Sequence, residues 1–227
     1  MKAIERLIFA LDVPDASEAD RWIRRLSGSV GLFKVGLELF TAAGPQIFSM
    51  IRESGGAAAP GVFLDLKYHD IPKTVERAAA AAARLGARML TVHCAGGRDM
   101  LAAAVAGAAG RVQVLGVTVL TSEGGPVGDL VLSRAELAFE AGLPGVVCSG
   151  LEVGRVKERL GPGFLAVTPG VRLAGGEAGD QKRVVTPASA LAGGADYIVV
   201  GRPIRDAPNP VEAAAAIVRD MEGAARG

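Results

Sequence analysis

The chain has 227 residues, half of them hydrophobic and 22% charged, a balance with ample material for one large domain and its core. Aromatics are only 4%, so Val, Leu, Ile and Ala must supply most of that core. The formal net charge of +1 gives no bias towards nucleic acid or an anionic membrane, and any anion must be held locally by a few placed Lys and Arg.

In chain order, LIFALDV (7–13) reads as a first strand ending at Asp12. This apolar run is too short for a signal peptide core, and no segment approaches the roughly 20 apolar residues of a membrane span, so a soluble, cytoplasmic protein is expected. A helix follows from Asp15 to Leu26, capped at Asp15 or Ser17 and carrying Trp22 on a core or interface face. GLFKVGL (31–37) is a second strand with Lys34 inside it, and VFLDLKY (62–68) a third, closing on Asp65 and Lys67. A helix from Thr74 to Leu85 stops at Gly86. MLTVHC (89–94) is the fourth strand, and its His93 reads as a core histidine in preference to a catalytic one. Helix 97–107 leads to VQVLGVTVL (112–120), after which the hydroxyls of Thr121 and Ser122 either meet a flat polar ligand or cap the next element. The remaining pattern is helix 126–141, strand 145–150, helix 152–160, strand 164–169, a glycine-rich loop to a short helix, strand 197–201 and helix 209–224.

Strands that are continuously apolar rather than alternating are buried on both faces. Their alternation with helices along this length predicts a single-domain (β/α)₈ barrel over residues 1–227. A doubly wound sheet would place a glycine-rich turn after the first strand, whereas DVPDAS has no glycine there. The two cysteines, Cys94 and Cys148, end apolar runs with no zinc spacing, so they read as buried free thiols.

In such a barrel the C-terminal strand ends form the site. Asp12, Lys34, Asp65 and Lys67 lie at those ends, and alternate residues share a face, so Asp65, Lys67 and His69 point the same way if the strand stays extended. Surface ion pairs would be worth about 0–1 kcal/mol each, but charges on three neighbouring apolar strands point to one charged mouth. Carboxylates beside Lys67 favour its ammonium form, which suits it to donate a proton rather than to attack a carbonyl as a neutral amine. The loop 167–187 carries Arg172, Gln181, Lys182 and Arg183, and YIVVGRPI (197–204) ends in Gly201-Arg202. After the last two strands, these groups predict a phosphate site beneath a lid.

The motifs FALDV (9–13), FKVGLELF (33–40), FLDLKYHDIPKTV (63–75), VTVLTS (117–122), VTPGVR (167–172), GDQKR (179–183) and YIVVGRPI (197–204) fall in an order that resembles the bacterial type of the orotidine 5′-phosphate decarboxylase family along essentially the whole chain. The resemblance implies decarboxylation of orotidine 5′-monophosphate to uridine 5′-monophosphate without metal or other cofactor. It implies that Asp12 and Lys34 hold the ribose, that Lys67 protonates C6 of the pyrimidine, and that Asp65 and Asp70 complete the charge network. Thr121 would meet the base, Arg172 and Gln181 would close over the ligand, and Gly201 with Arg202 would take the phosphate. A homodimer with shared sites is implied, in which Asp70, Ile71 and Thr74 reach into the partner. Lys73 departs from the family's usual Asn. Sister enzymes acting on keto-sugar phosphates with Mg²⁺ share Asp-x-Lys-x-x-Asp, but GDQKR and VTVLTS argue against them, and the full charge set argues against a silent phosphate-binding barrel.

Overall fold

The structure, a computed structural model, describes residues 1–54, 59–119, 127–173 and 185–224. Its strands are β1 (Leu7–Ala10), β2 (Leu32–Gly36), β3 (Gly61–Tyr68), β4 (Met89–His93), β5 (Gln113–Val117), β6 (Gly145–Val147), β7 (Leu165–Thr168) and β8 (Tyr197–Val200). All pair in parallel with their sequence neighbours, and β8 returns to β1 through Leu7 opposite Ile198, closing the barrel. The helices are α1 (Ala16–Leu26), α2 (Leu37–Ala43), α3 (Gln46–Ser54), α4 (Pro72–Leu85), α5 (Gly97–Ala108), α6 (Gly128–Glu140), α7 (Val153–Leu160), α8 (Pro187–Ala192), α9 (Arg202–Arg205) and α10 (Pro210–Ala224). The expected (β/α)₈ barrel is therefore the observed fold. No helix among the described residues is long and apolar enough to cross a membrane.

The unbroken apolar strands are explained by two cores. Leu7, Phe9, Phe33, Val62, Leu64, Leu90 and Val92 face outward into a layer shared with the helices. Ile8, Ala10, Leu32, Phe63 and Met89 alternate with them and fill the barrel interior. Each side chain of this size contributes about 1.5–3 kcal/mol on full burial, so both faces of each strand must be apolar. Trp22 of α1 belongs to the outer core, its ring 5.7 Å from that of Phe9.

Local chemistry sets the helix ends. Asp15 caps α1 by accepting the Glu18 N–H at 2.8 Å, one of the two expected caps. Helix α4 starts at Pro72 rather than Thr74, because proline is pre-shaped for a first helical position where its missing N–H costs nothing. It ends at Gly86, whose φ of 85° suits a residue without Cβ. The alanine-rich face of α4 is used within the chain: Ala79 and Ala82 are buried, and a Cβ added to Gly107 of α5 would stand 2.1 Å from the Glu76 carbonyl oxygen. Two further helices, α2 and α3, fill the interval between β2 and β3, which the sequence reading left without elements.

Candidate active site

The inner faces of the first four strands share a gradient. Each begins with an apolar residue deep in the barrel and turns polar towards the C-terminal mouth: Ile8, Ala10, then Asp12; Leu32, then Lys34; Phe63, then Asp65 and Lys67; Met89, then Thr91 and His93. Parallel pairing sets Ala10 opposite Lys34 and Gly36 opposite Asp65, so the polar tips arrive at similar height.

At that height the charges form an alternating chain. Lys34 Nζ lies 2.8 Å from Asp12 Oδ1 and 3.7 Å from Asp65 Oδ2, and Asp65 Oδ2 lies 2.8 Å from Lys67 Nζ. Gly36 makes room beside it, since an added Cβ would come within 3.3 Å of Lys34 Nζ. Asp65 is the buried member of the chain, and burial pushes its carboxyl up. Lys34 and Lys67, with hydrogen bonds from Lys67 and Thr91, outweigh that and hold it below its ordinary value. The carboxylate thus stays charged between two ammonium groups. The Lys67 side chain is 31% exposed against 13% for Lys34, so Lys67 is the cation that opens to the cavity.

Two features here depart from the extended strand expected from sequence. Asp12 lies beyond the end of β1 at Ala10, not within the strand. Lys67 takes φ 50°, and the step from Leu64 to Tyr68 on β3 matches only that from Leu90 to Val92 on β4. A left-handed non-glycine residue costs of order 1–3 kcal/mol and persists only where its surroundings over-determine it. Here the Lys67 N–H donates to Thr91 Oγ1 at 2.9 Å, and Thr91 Oγ1 donates to Asp65 Oδ1 at 2.9 Å. The break in extension keeps His69 out of the charge chain. Its ring instead lies exposed against His93, centroids 5.6 Å apart.

Above the charges the mouth has two compartments that share Lys34, Pro169 and Val199. One, of about 310 Å³, is lined by Asp12, Arg172, Gly201, Arg202 and Arg205. The other, of about 160 Å³, is walled by Phe63, Val117 and Val147, with Asp65 and Lys67 at its edge. In the first compartment Gly201 fits closely, since an added Cβ would stand 3.3 Å from Ala10 Cβ. Asp70, Ile71 and Thr74 lie together but exposed at the start of α4, with Ile71 at 67%. Among the described residues no ion pair ties Asp70 to Lys67; its carboxylate accepts the Ile71 N–H at 2.7 Å. Lys73 pairs with Glu76 at 2.8 Å, off to the side. Thr121, Ser122, Gln181, Lys182 and Arg183 lie outside the described residues.

Sequence reasoning missed Thr91 and Arg205. Arg205 joins the polar compartment through α9 and donates to the Asp12 carbonyl at 3.3 Å. Thr91 had a signal: it is a hydroxyl on an interior strand position, which burial obliges to find partners. Cys94 and Cys148 are buried and not joined in a disulfide, as expected, and burial pushes the Cys94 thiol up to about 12. No group of three or more His, Cys, Asp and Glu among the described residues stands together as a metal-binding set.

Comparisons with known proteins agree with this geometry. The family model described as "Orotidine 5'-phosphate decarboxylase / HUMPS family" matches residues 5–217. An orotidine 5′-phosphate decarboxylase of Desulfosudis oleivorans is 51% identical, with 96% of this chain and 93% of that protein covered. One from Anaeromyxobacter sp. (strain K) is 52% identical, covering 97% of this chain and all (100%) of its own. Among solved structures, the orotidine 5′-phosphate decarboxylase of Lactobacillus acidophilus superposes with a TM-score of 0.82 at 35% identity, over 95% of this chain and 98% of that one. By family match, by relatives of about half-identical sequence and by fold, the chain belongs to the orotidine 5′-phosphate decarboxylase / HUMPS family.

Proposed function

We propose that this enzyme converts orotidine 5′-monophosphate to uridine 5′-monophosphate and carbon dioxide, the step that yields uridine 5′-monophosphate in pyrimidine biosynthesis. The observation that carries the reading is the alternating chain Asp12–Lys34–Asp65–Lys67 at the boundary of a polar and an apolar compartment. A nucleotide has the same order of parts. Its phosphate suits the compartment of Gly201, Arg202 and Arg172, where guanidinium groups give charge-assisted hydrogen bonds. Its ribose hydroxyls suit Asp12 and Lys34, and its flat base suits the apolar walls beside Lys67. Thr121 then meets the base, and Gln181 closes over the ligand with Arg172.

In the reaction the bond from C6 to the carboxylate breaks, its electron pair stays on C6, and carbon dioxide leaves. The Lys67 ammonium stabilises that charge and then transfers its proton to C6, forming the new C–H bond. The neutral amine afterwards regains a proton from solvent. Phosphate binding, remote from C6, supplies energy that orients the base. No metal or organic cofactor is required in this scheme. The two ammonium groups beside Asp65 support that part of the reading, because a divalent cation would have to displace them. Asp70, Ile71 and Thr74 complete the site of a second copy in a homodimer, which their joint exposure next to the mouth supports.

The test is ultraviolet absorbance of orotidine 5′-monophosphate with the purified protein, with and without excess chelator. Conversion to uridine 5′-monophosphate at equal rates is expected. Absence of conversion by folded protein, or turnover of keto-sugar phosphates that needs Mg²⁺, would assign it to the other branch of the family.

A further inference from the structure

Thr91 is 1% exposed and sits on β4 in the barrel interior, on the same face as Met89. Its hydroxyl closes a ring. It accepts from the Lys67 N–H at 2.9 Å and donates to Asp65 Oδ1 at 2.9 Å, while Asp65 Oδ2 holds Lys67 Nζ at 2.8 Å. Both ends of one lysine, backbone and ammonium, are therefore tied to one carboxylate through one hydroxyl. A hydroxyl can do this through a single atom, because its oxygen offers a donor and acceptor lone pairs together. The ring lies where β3 loses register with β4 and Lys67 adopts φ 50°. Were the hydroxyl absent, the Lys67 N–H would lose its acceptor at the very residue whose backbone most needs holding, and Asp65 would be free to turn.

We propose that Thr91 is a positioning residue for the proton transfer, its hydroxyl holding Lys67 in the left-handed turn and locking Asp65 so that Lys67 Nζ projects into the apolar compartment. This rests on the reading of Lys67 as proton donor. The competing role is packing, in which the Thr91 methyl group matters and the hydroxyl does not. The two are separable, since Thr91→Val keeps the volume without the hydroxyl and Thr91→Ser keeps the hydroxyl without the methyl.

The experiment compares wild type, Thr91→Val and Thr91→Ser for kcat, KM and the pH profile of orotidine 5′-monophosphate decarboxylation, with thermal unfolding as the check on folding. A misplacement of about 1 Å can cost around 10²-fold, so Thr91→Val should lose about 10²-fold in kcat with KM changed less than about threefold. Its acidic limb should move to higher pH, because the charged form of Asp65 loses a donor. Thr91→Ser should stay within about fivefold of wild type with an unshifted profile. Wild-type kcat and profile in Thr91→Val would overturn the proposal, as would Thr91→Ser losing as much as Thr91→Val. Should Thr91→Val fail to fold, Thr91→Ser decides alone: an unshifted profile and near-normal kcat support the hydroxyl, and a large loss overturns it. A wild type without decarboxylase activity would overturn the functional reading itself, and this role with it.

Discussion

Two lysine–aspartate pairs at opposite ends of the barrel have almost the same length and different surroundings. At the N-terminal end, Lys157 Nζ lies 2.7 Å from Asp196 Oδ2, and it also donates to the carbonyls of Pro162 at 3.0 Å and Phe164 at 2.7 Å. Asp196 in turn accepts the Ala166 N–H at 2.8 Å. Three donors and three acceptors match, and that lysine is saturated. At the mouth, Lys67 Nζ also has an aspartate at 2.8 Å, yet among the described residues Asp65 is its one partner, and its remaining protons face the cavity. The pair lengths are nearly equal, so the difference in role comes from what else each ammonium touches. A lysine with its hydrogen bonds filled joins loops; one with protons to spare beside a single carboxylate can deliver one.

The comparison is broken or sharpened by substitution at each end. Lys67→Ala should lower kcat by about 10⁴-fold or more while the protein stays folded, because both the cation and the proton donor disappear. Asp65→Asn should follow at about 10²–10³-fold, since the neutral amide no longer fixes either ammonium group. Arg202→Ala should raise KM by about 10-fold or more through loss of charge-assisted phosphate contacts, with thermal stability nearly unchanged. Lys157→Met should reverse the pattern. Steady-state rates should be preserved, while unfolding is eased by about 2 kcal/mol, because a largely buried aspartate is left without its cation. Calorimetry should register that as a fall in Tm of about 4–8 °C.

The smallest effect is on acid stability. The Asp65 carboxyl is held below its ordinary value in the fold, so its contribution is complete above the unfolded value near pH 4 and is lost as pH falls through the folded value. Denaturant titrations between about pH 5 and 2 should therefore show wild type losing more stability than Asp65→Asn. Equal slopes would mean that Asp65 is not held by Lys34 and Lys67 in solution.

The barrel and most of its charge chain were legible in the sequence for a physical reason. Strands buried on both faces must be apolar throughout, so Lys34, Asp65 and Lys67 stood out against Phe63, Leu64 and the runs around them. Other features depended on tertiary contacts that no local pattern carries. The left-handed turn at Lys67 follows from a register shift against β4, and that shift is what separates His69 from the charges. Asp12 reaches Lys34 from a loop, because β1 stops at Ala10. Helices α2 and α3 did have a signal, with Leu39 and Ala43, then Ile47 and Ile51, spaced for one helical face, but the short pieces fell below the length at which periodicity speaks. Thr91 went unnoticed because a threonine in a strand is ordinary until its neighbours are known.

The most direct test concerns the proton. The group that delivers a proton to C6 can also remove it, so wild-type protein in deuterium oxide should exchange the C6 hydrogen of uridine 5′-monophosphate, seen as loss of that proton's magnetic-resonance signal. The account predicts exchange by the wild type and by Lys157→Met, and none above background with Lys67→Ala at saturating nucleotide. Exchange by Lys67→Ala at the wild-type rate would show that another group carries the proton, and would contradict the assignment of Lys67.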